Sequence, residues 1–135
     1  YLMEKDEEVK VEYHDNGTKM SETSYKKGVL NGVSSRWYKD GTKQSEHHYK
    51  DGDLHGDSIL WFANGNKESE SHHKYGDPFG VWKEWHEDGS RKYEESYKNG
   101  ELNGVATGWY DKSRGGKKNY EDRYKKGELI KTVYF

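Results

Sequence analysis

The chain has 135 residues, of which 36% are charged and only 29% apolar, with no cysteine and a formal net charge of −2. That near-neutral mixture of signs removes the electrostatic reason to expect nucleic acid or an anionic membrane surface, and the lack of cysteine excludes disulfides and thiolate chemistry. Low hydrophobicity with high charge ordinarily means disorder, but disordered chains are poor in aromatics, and here the aromatic share is 15%, with twelve Tyr and five Trp.

The aromatics recur in register. Tyr25-Lys26-Lys27-Gly28-Val29-Leu30-Asn31-Gly32 returns twenty-four residues later as Tyr49-Lys50-Asp51-Gly52-Asp53-Leu54-His55-Gly56. Gly17, Gly41, Gly65 and Gly89 keep the same spacing, as do Gly28, Gly52, Gly76 and Gly100. A fixed period of this size marks a repeat architecture, in which each unit buries its apolar surface against its neighbours. Units are expected at residues 9–32, 33–56, 57–80, 81–104 and 105–130, with a capping strand at 131–135, in one domain spanning 1–135. The chain begins at Tyr1 and not at Met, so an upstream leader or tether is expected.

Taken in order, each unit reads as two short alternating segments and two turns. The first carries Val9, Val11 and Tyr13 ahead of Asn16-Gly17. In the second, Val33 to Lys39 precedes Asp40-Gly41, and Lys43 to Lys50 precedes Asp51-Gly52. Asn-Gly and Asp-Gly between alternating segments are strong hairpin signals, because glycine accepts the positive φ a tight turn requires. Pro78 of the third unit falls in a turn, where it removes no ladder hydrogen bond. The fifth unit holds three extra residues within Asp111 to Gly116, read as a longer loop, and the tail from Ile130 to Phe135 reads as a closing edge strand. The fold expected is all-β: an elongated, curved, single antiparallel sheet of about five hairpins, roughly 45 Å long at a strand spacing of ~4.8 Å.

Period-two alternation sorts the side chains. The first strands carry Tyr13, Trp37, Trp61, Trp85 and Trp109, and the second strands a tyrosine column of Tyr25, Tyr49, Tyr97 and Tyr124, with His73 in the third unit. Together they are expected to form one structural ladder, with Leu30, Leu54 and Leu102 between units. The alternate face of the first strands is mostly polar, as in Ser34, Arg36 and Tyr38. In the middle it turns apolar, with Leu60, Phe62 and Trp82 rimmed by His72, Glu84 and His86. An apolar patch ringed by charge marks a protein-binding surface; these six residues are the candidate partner site. The alternative is that they pack on one another.

The unit pattern, an aromatic pair, Asn/Asp-Gly-x-Lys/Arg, Glu, then Tyr-Lys-x-Gly-x-Leu-x-Gly, resembles the MORN repeat (membrane occupation and recognition nexus) in its bacterial variant, over residues 9 to 130. The resemblance implies a sheet of successive hairpins and a role among antitoxin or immunity components, or among envelope-associated proteins. The eukaryotic unit has a Gly-x-Gly step where Gly32-Val33-Ser34 and Gly104-Val105-Ala106 stand here, which argues against lipid contact.

Residues that could carry chemistry read as structural. Glu22, Glu46, Glu70, Glu94 and Glu121 fill one column, and equivalent carboxylates on a regular ladder give no pair with separated environments for acid–base work. They are expected to pair with Lys or Arg on the intervening strands. His47-His48 and His72-His73 occupy matching places, but alternation and the strand spacing hold His48 and His72 too far apart to share a metal. No phosphate loop, nucleophile elbow or metal motif is present. No catalytic residue, cofactor or metal is therefore expected. The expected function is a non-enzymatic protein-binding module, most plausibly one that neutralises a toxin or effector, in the periplasm or envelope in preference to the cytoplasm. A structural scaffold assembling through sheet edges is the alternative, and a lipid- or carbohydrate-contacting module a weaker one.

Overall fold

The computed structural model describes residues 6–135, so the first five residues of the expected domain lie outside it. The described chain is all-β apart from one short 3₁₀ turn, Lys112–Arg114. Its strands are β1 (Glu7–Tyr13), β2 (Lys19–Lys26), β3 (Val29–Trp37), β4 (Lys43–Lys50), β5 (Asp53–Trp61) and β6 (Lys67–Lys74). They continue as β7 (Asp77–Trp85), β8 (Arg91–Lys98), β9 (Glu101–Leu102), β10 (Gly104–Trp109), β11 (Lys118–Lys125) and β12 (Glu128–Tyr134). All lie in one antiparallel sheet, each strand pairing with its sequence neighbours; short β9 sits beside β10 and pairs with β8. The closing strand begins at Glu128, three residues ahead of the expected cap.

Two turn chemistries alternate. At the second turns both central residues have positive φ, as at Lys27 (50°) and Gly28 (79°), the twist-matched two-residue hairpin. At the first turns only the glycine does, and the Asn or Asp before it accepts a backbone N–H two residues on: Asn16 from Thr18 at 3.1 Å, Asp88 from Ser90 at 2.8 Å. Hydrogen bonds donated by the Ser90 hydroxyl and backbone N–H, and by the Lys112 N–H, hold the Asp88 carboxyl down to about 2. The first turns also staple one unit to the next. His14 Nε2 donates to Trp37 O (2.8 Å), Tyr38 Oη to Trp61 O (2.7 Å) and His86 Nε2 to Trp109 O (2.9 Å).

A bulge follows every first turn. Arg36 faces Ser45 while Trp37 faces Lys43, so Gln44 is an extra residue, and the same slip recurs at Glu12/Tyr13, Leu60/Trp61, Glu84/Trp85 and Gly108/Trp109. One extra residue reverses the in–out parity. The lysine next to each bulge thereby joins the tryptophans, and the tyrosine column falls on the opposite face. The single aromatic ladder expected from the sequence is two ladders on two faces.

On the tryptophan face, cations and rings alternate. Lys19 Nζ lies 5.4 Å from the Trp37 ring, Lys43 5.8 Å from Trp61, Lys67 5.9 Å from Trp85, and the Arg91 guanidinium 4.6 Å from Trp109. Each such contact contributes ~0.5–1 kcal/mol at exposed sites. The glutamate column is here too, and four of its five members pair with lysines on their own strands and not on the intervening ones: Lys19–Glu22 at 3.5 Å, Lys67–Glu70 at 3.5 Å, Lys118–Glu121 at 2.7 Å, and Lys43–Glu46. The bulge brings residues three apart onto one side. This face is not a buried core, since of the apolar residues described only Ala106 (1% exposed) and Trp109 (8%) are buried.

On the tyrosine face, the column residues from Tyr49 onward lie opposite glycines of the preceding strand: Tyr49 opposite Gly32, His73 opposite Gly56, Tyr97 opposite Gly80, Tyr124 opposite Gly104. Tyr25 faces Glu8 instead. A ring paired across from a strand glycine shields backbone that would otherwise be bare. Toward the next unit Tyr25, Tyr49, His73 and Tyr97 meet Leu30, Leu54, Pro78 and Leu102, and Tyr124 meets Leu129.

Candidate recognition surface

The tyrosine face changes character along the sheet. In the row nearest the first turns, β2, β4 and β6 present Ser21, Ser45 and Ser69, whereas β8 and β11 present Tyr93 and Tyr120. The next row runs Thr23, Ser34, His47, Ser58 and Ser71, and then Trp82, Glu95, Ala106 and Asp122. Small hydroxyls give way to large rings and carboxylates at β7.

In the middle lies a set of buried polar atoms without hydrogen-bond partners: His47 Nδ1, Ser58 Oγ, His73 Nδ1 and Trp82 Nε1. His73 is 8% exposed, shares Nε2 with Ser71 Oγ at 3.0 Å, and meets the Trp82 ring edge-on at 6.2 Å. Burial, and then the neighbouring imidazole of His48, lower the His47 pKa. Burial, and then His47 and His72, lower that of His73. Both imidazoles are thus neutral at neutral pH.

Beyond Trp82 the surface is acidic and aromatic. Glu95 accepts Tyr93 Oη at 2.6 Å and Tyr97 Oη at 2.5 Å, one hydroxyl to each carboxylate oxygen. Burial and this carboxylate raise both phenol pKa values, so the hydroxyls stay protonated donors. Burial also raises that of Tyr120, with Asp122, Tyr124, Glu84 and Glu95 adding to it. Tyr120 lies across Gly108 so closely that a β-carbon there would come within 2.3 Å of the ring. A cleft of about 530 Å³ opens alongside, lined by Tyr93, Tyr120 and Glu84 together with Lys92, Asp111 and Arg114. The inserted loop supplies the last two: Asp111 caps the 3₁₀ turn, and the Arg114 guanidinium sits 4.2 Å from the Tyr110 ring centre.

The candidate partner residues proposed from sequence do not all converge. Leu60, Trp82 and Glu84 share the tyrosine face, with Leu60 and Glu84 in one row and Trp82 in the next. Phe62 and His86 begin first turns, and His86 is engaged by the Trp109 carbonyl. His72 lies on the tryptophan face, where Nδ1 meets Asp57 Oδ1 at 2.6 Å and its ring neighbours Phe79 at 6.0 Å. Its parity was readable, because His73 fills the tyrosine column and adjacent strand residues point oppositely. Tyr93, Glu95, Tyr120 and Asp122 were missed. Their signal was the replacement of the hydroxyl residues of earlier units by tyrosines and carboxylates in the last two. Among the described residues, no group of three or more His, Cys, Asp or Glu is placed to hold a metal ion.

A single open sheet built from tandem hairpins of fixed period, with its side chains divided between two solvent-facing surfaces, defines a repeat-built binding or scaffold protein. The MORN repeat variant model matches at residues 9–27, 30–51, 54–75 and 80–99, more than half the chain, and the chain belongs to that family. The four matches fall on the regular units; the unit with the inserted loop lies beyond them. No curated protein and no solved structure matches it.

Proposed function

We propose that this chain is a non-enzymatic protein-binding module of the toxin-neutralising type, which holds its partner on the tyrosine face. The observation that supports the reading is the break in the repeat on that face. A repeat needed only as a spacer has no use for Trp82, Tyr93 and Glu95 where units two and three carry serine or histidine, whereas the tryptophan face keeps its ring, cation and glutamate columns from unit to unit. Aromatic residues anchoring a polar surface are the usual composition of a protein contact, and ~800 Å² buried on each partner makes a stable one.

The test is capture of partners from cells of the native host with the immobilised chain, a Trp82→Ala variant and a Val81→Lys variant, the last on the tryptophan face. The reading expects one stoichiometric protein, held by the wild type and the Val81 variant and lost by the Trp82 variant, whose toxicity in co-expression is relieved by this chain. A harmless partner would remove the toxin assignment and leave the module. Self-association alone would favour the scaffold reading. That second reading has its own support, since β1 and β12 each pair on one side only among the described residues and carry exposed Val9 and Leu129 (both 55%). Unpaired strand edges are templates for assembly.

A further inference from the structure

The two faces treat their carboxylates differently. On the tryptophan face Glu22, Glu46, Glu70 and Glu121 each have a lysine partner, and Glu94, which has none within ion-pair distance, lies opposite Lys83 in the ladder. On the tyrosine face Glu84, Glu95 and Asp122 are half-buried, and none forms an ion pair among the described residues. Paired strand positions of this face from β4 to β11 hold no lysine or arginine; Lys92 and Arg114 line the neighbouring cleft with Glu84 but form no ion pair with it. Half-buried charge without a counter-charge costs folding stability, and a cation from outside would remove that cost.

The surroundings narrow the cation further. Tyr93 and Tyr97 each donate to a different oxygen of the Glu95 carboxylate, and each oxygen keeps a further lone pair for another donor. A planar guanidinium offers two parallel N–H donors that match such a pair, and it stacks on aromatic rings better than an ammonium does. Further rings belong to the same neighbourhood: Trp82 pairs with Glu95 in the ladder, and the Tyr120 ring is 6.4 Å from that of Tyr93. Next to Trp82, His73 is more than nine-tenths buried and keeps Nδ1 unpartnered, so the polar groups of this face remain incompletely satisfied up to the edge of the cage.

We propose that Glu95, with Glu84, Asp122 and the rings of Trp82, Tyr93, Tyr97 and Tyr120, forms a receptor for one arginine side chain presented by the protein partner. The inference rests on the reading of the tyrosine face as the partner surface, and it names the chemistry of that partner: a basic loop or tail with an arginine at its tip. Charge complementarity chooses this occupant. An acidic or apolar segment would leave three carboxylates desolvated and unpaired.

The probe is a blocked heptapeptide with one central arginine among glycines and serines, beside versions carrying lysine or citrulline at that place. Each is titrated into the ¹⁵N-labelled chain, reading the Trp82 indole N–H and the backbone amides of β7, β8 and β11. The expected result is saturable shifts confined to those strands, with the arginine peptide binding at least threefold tighter than lysine and at least tenfold tighter than citrulline. Glu95→Gln should weaken the arginine peptide at least fivefold. Glu94→Gln, one residue away on the other face, should leave it unchanged, and the two variants' own spectra report whether each is folded. Absence of shifts, equal binding of citrulline, or shifts on the tryptophan face would overturn the receptor. A captured partner that still depends on Trp82 would then leave the proposed function standing. A partner indifferent to Trp82 would sink that function whatever the peptide does.

Discussion

The two faces of this sheet are built from the same hairpins and do opposite things with them. On the tryptophan face the same device recurs: a ring, a cation over it and a glutamate on that cation, as at Lys19, Lys43 and Lys67, while Arg91 keeps its ring, Trp109, without an ion-paired glutamate. On the tyrosine face only the column over the glycines repeats, and the two rows beside it change residue by residue along the sheet. Stability in a solenoid is close to a sum of identical neighbour terms, so the periodic face is where cohesion is expected. Specificity needs groups found in one place only, and these lie on the other face. Charge largely follows the same division: four of the five column glutamates on the first face are ion-paired, whereas Glu84, Glu95 and Asp122 on the second are not.

The comparison is broken most severely at the last tryptophan. Trp109 is nearly buried, and Trp109→Ala should cost ~3–5 kcal/mol, the usual range for a buried aromatic. Trp37→Ala, half-exposed in the same column, should cost clearly less, and chemical denaturation measures both. Equal losses would mean that the ladder is not graded by burial. Gly108→Ala comes next. Its new methyl would displace the Tyr120 ring, so a loss of ~1–3 kcal/mol is expected, as for other overpacked sites. Tyr120→Ala in the same chain should recover much of that loss, and the double-mutant cycle reads the coupling. Lys67→Ala should cost only ~0.5–1 kcal/mol, since it removes one exposed cation–ring contact and one exposed ion pair. A larger loss would give the cation–ring ladder more weight than it has here.

A smaller, pH-dependent effect separates the faces in another way. His47 and His73 have pKa values lowered below the ordinary 6.5, chiefly by burial. The unfolded chain therefore binds more protons than the folded one between those lowered values and 6.5, and stability falls as pH drops through that window. Depressed carboxylates such as Glu46 and Asp88, with ordinary values of 4.5 and 3.8, lose their contribution only at lower pH. The melting temperature should thus fall between pH 7 and pH 5.5, and His73→Tyr, which restores the residue of the other units, should flatten part of that slope. An unchanged slope would place the titrating groups elsewhere.

Much of the fold was readable because turn chemistry is local. Asn-Gly, Asp-Gly and the paired glycines fixed where strands begin and end to within a few residues, and the aromatic period fixed which strands correspond. What the sequence concealed was parity, because a single bulge residue such as Gln44 exchanges the two faces without altering the period. A trace of it was present: Lys19 and Glu22, Lys43 and Glu46, Lys67 and Glu70 are each three apart, a spacing that an unbroken strand would place on opposite sides. The candidate site was partly legible for the same reason. Trp82 and Glu84 stood out as departures within an apolar patch. Glu95 and Asp122 did not, since glutamate and aspartate on a charged strand look like solvated surface until Tyr93 and Tyr97 are seen to clamp one of them.

Neighbouring residues of one strand test the division of labour most directly. Glu84 and Trp85 are adjacent in β7 and point to opposite faces. Unfolding and partner capture should be measured side by side for Glu84→Gln and Trp85→Ala. The prediction is that Glu84→Gln keeps or slightly raises the unfolding midpoint, by relieving charge that has no counter-ion, and weakens capture. Trp85→Ala should lower the midpoint by ~2 kcal/mol or more in stability, as a large-to-small change does when packing is lost, while the protein still folded captures its partner as before. If Glu84→Gln destabilises the sheet and spares capture, or if Trp85→Ala abolishes capture by folded protein, the assignment of cohesion to one face and recognition to the other is wrong.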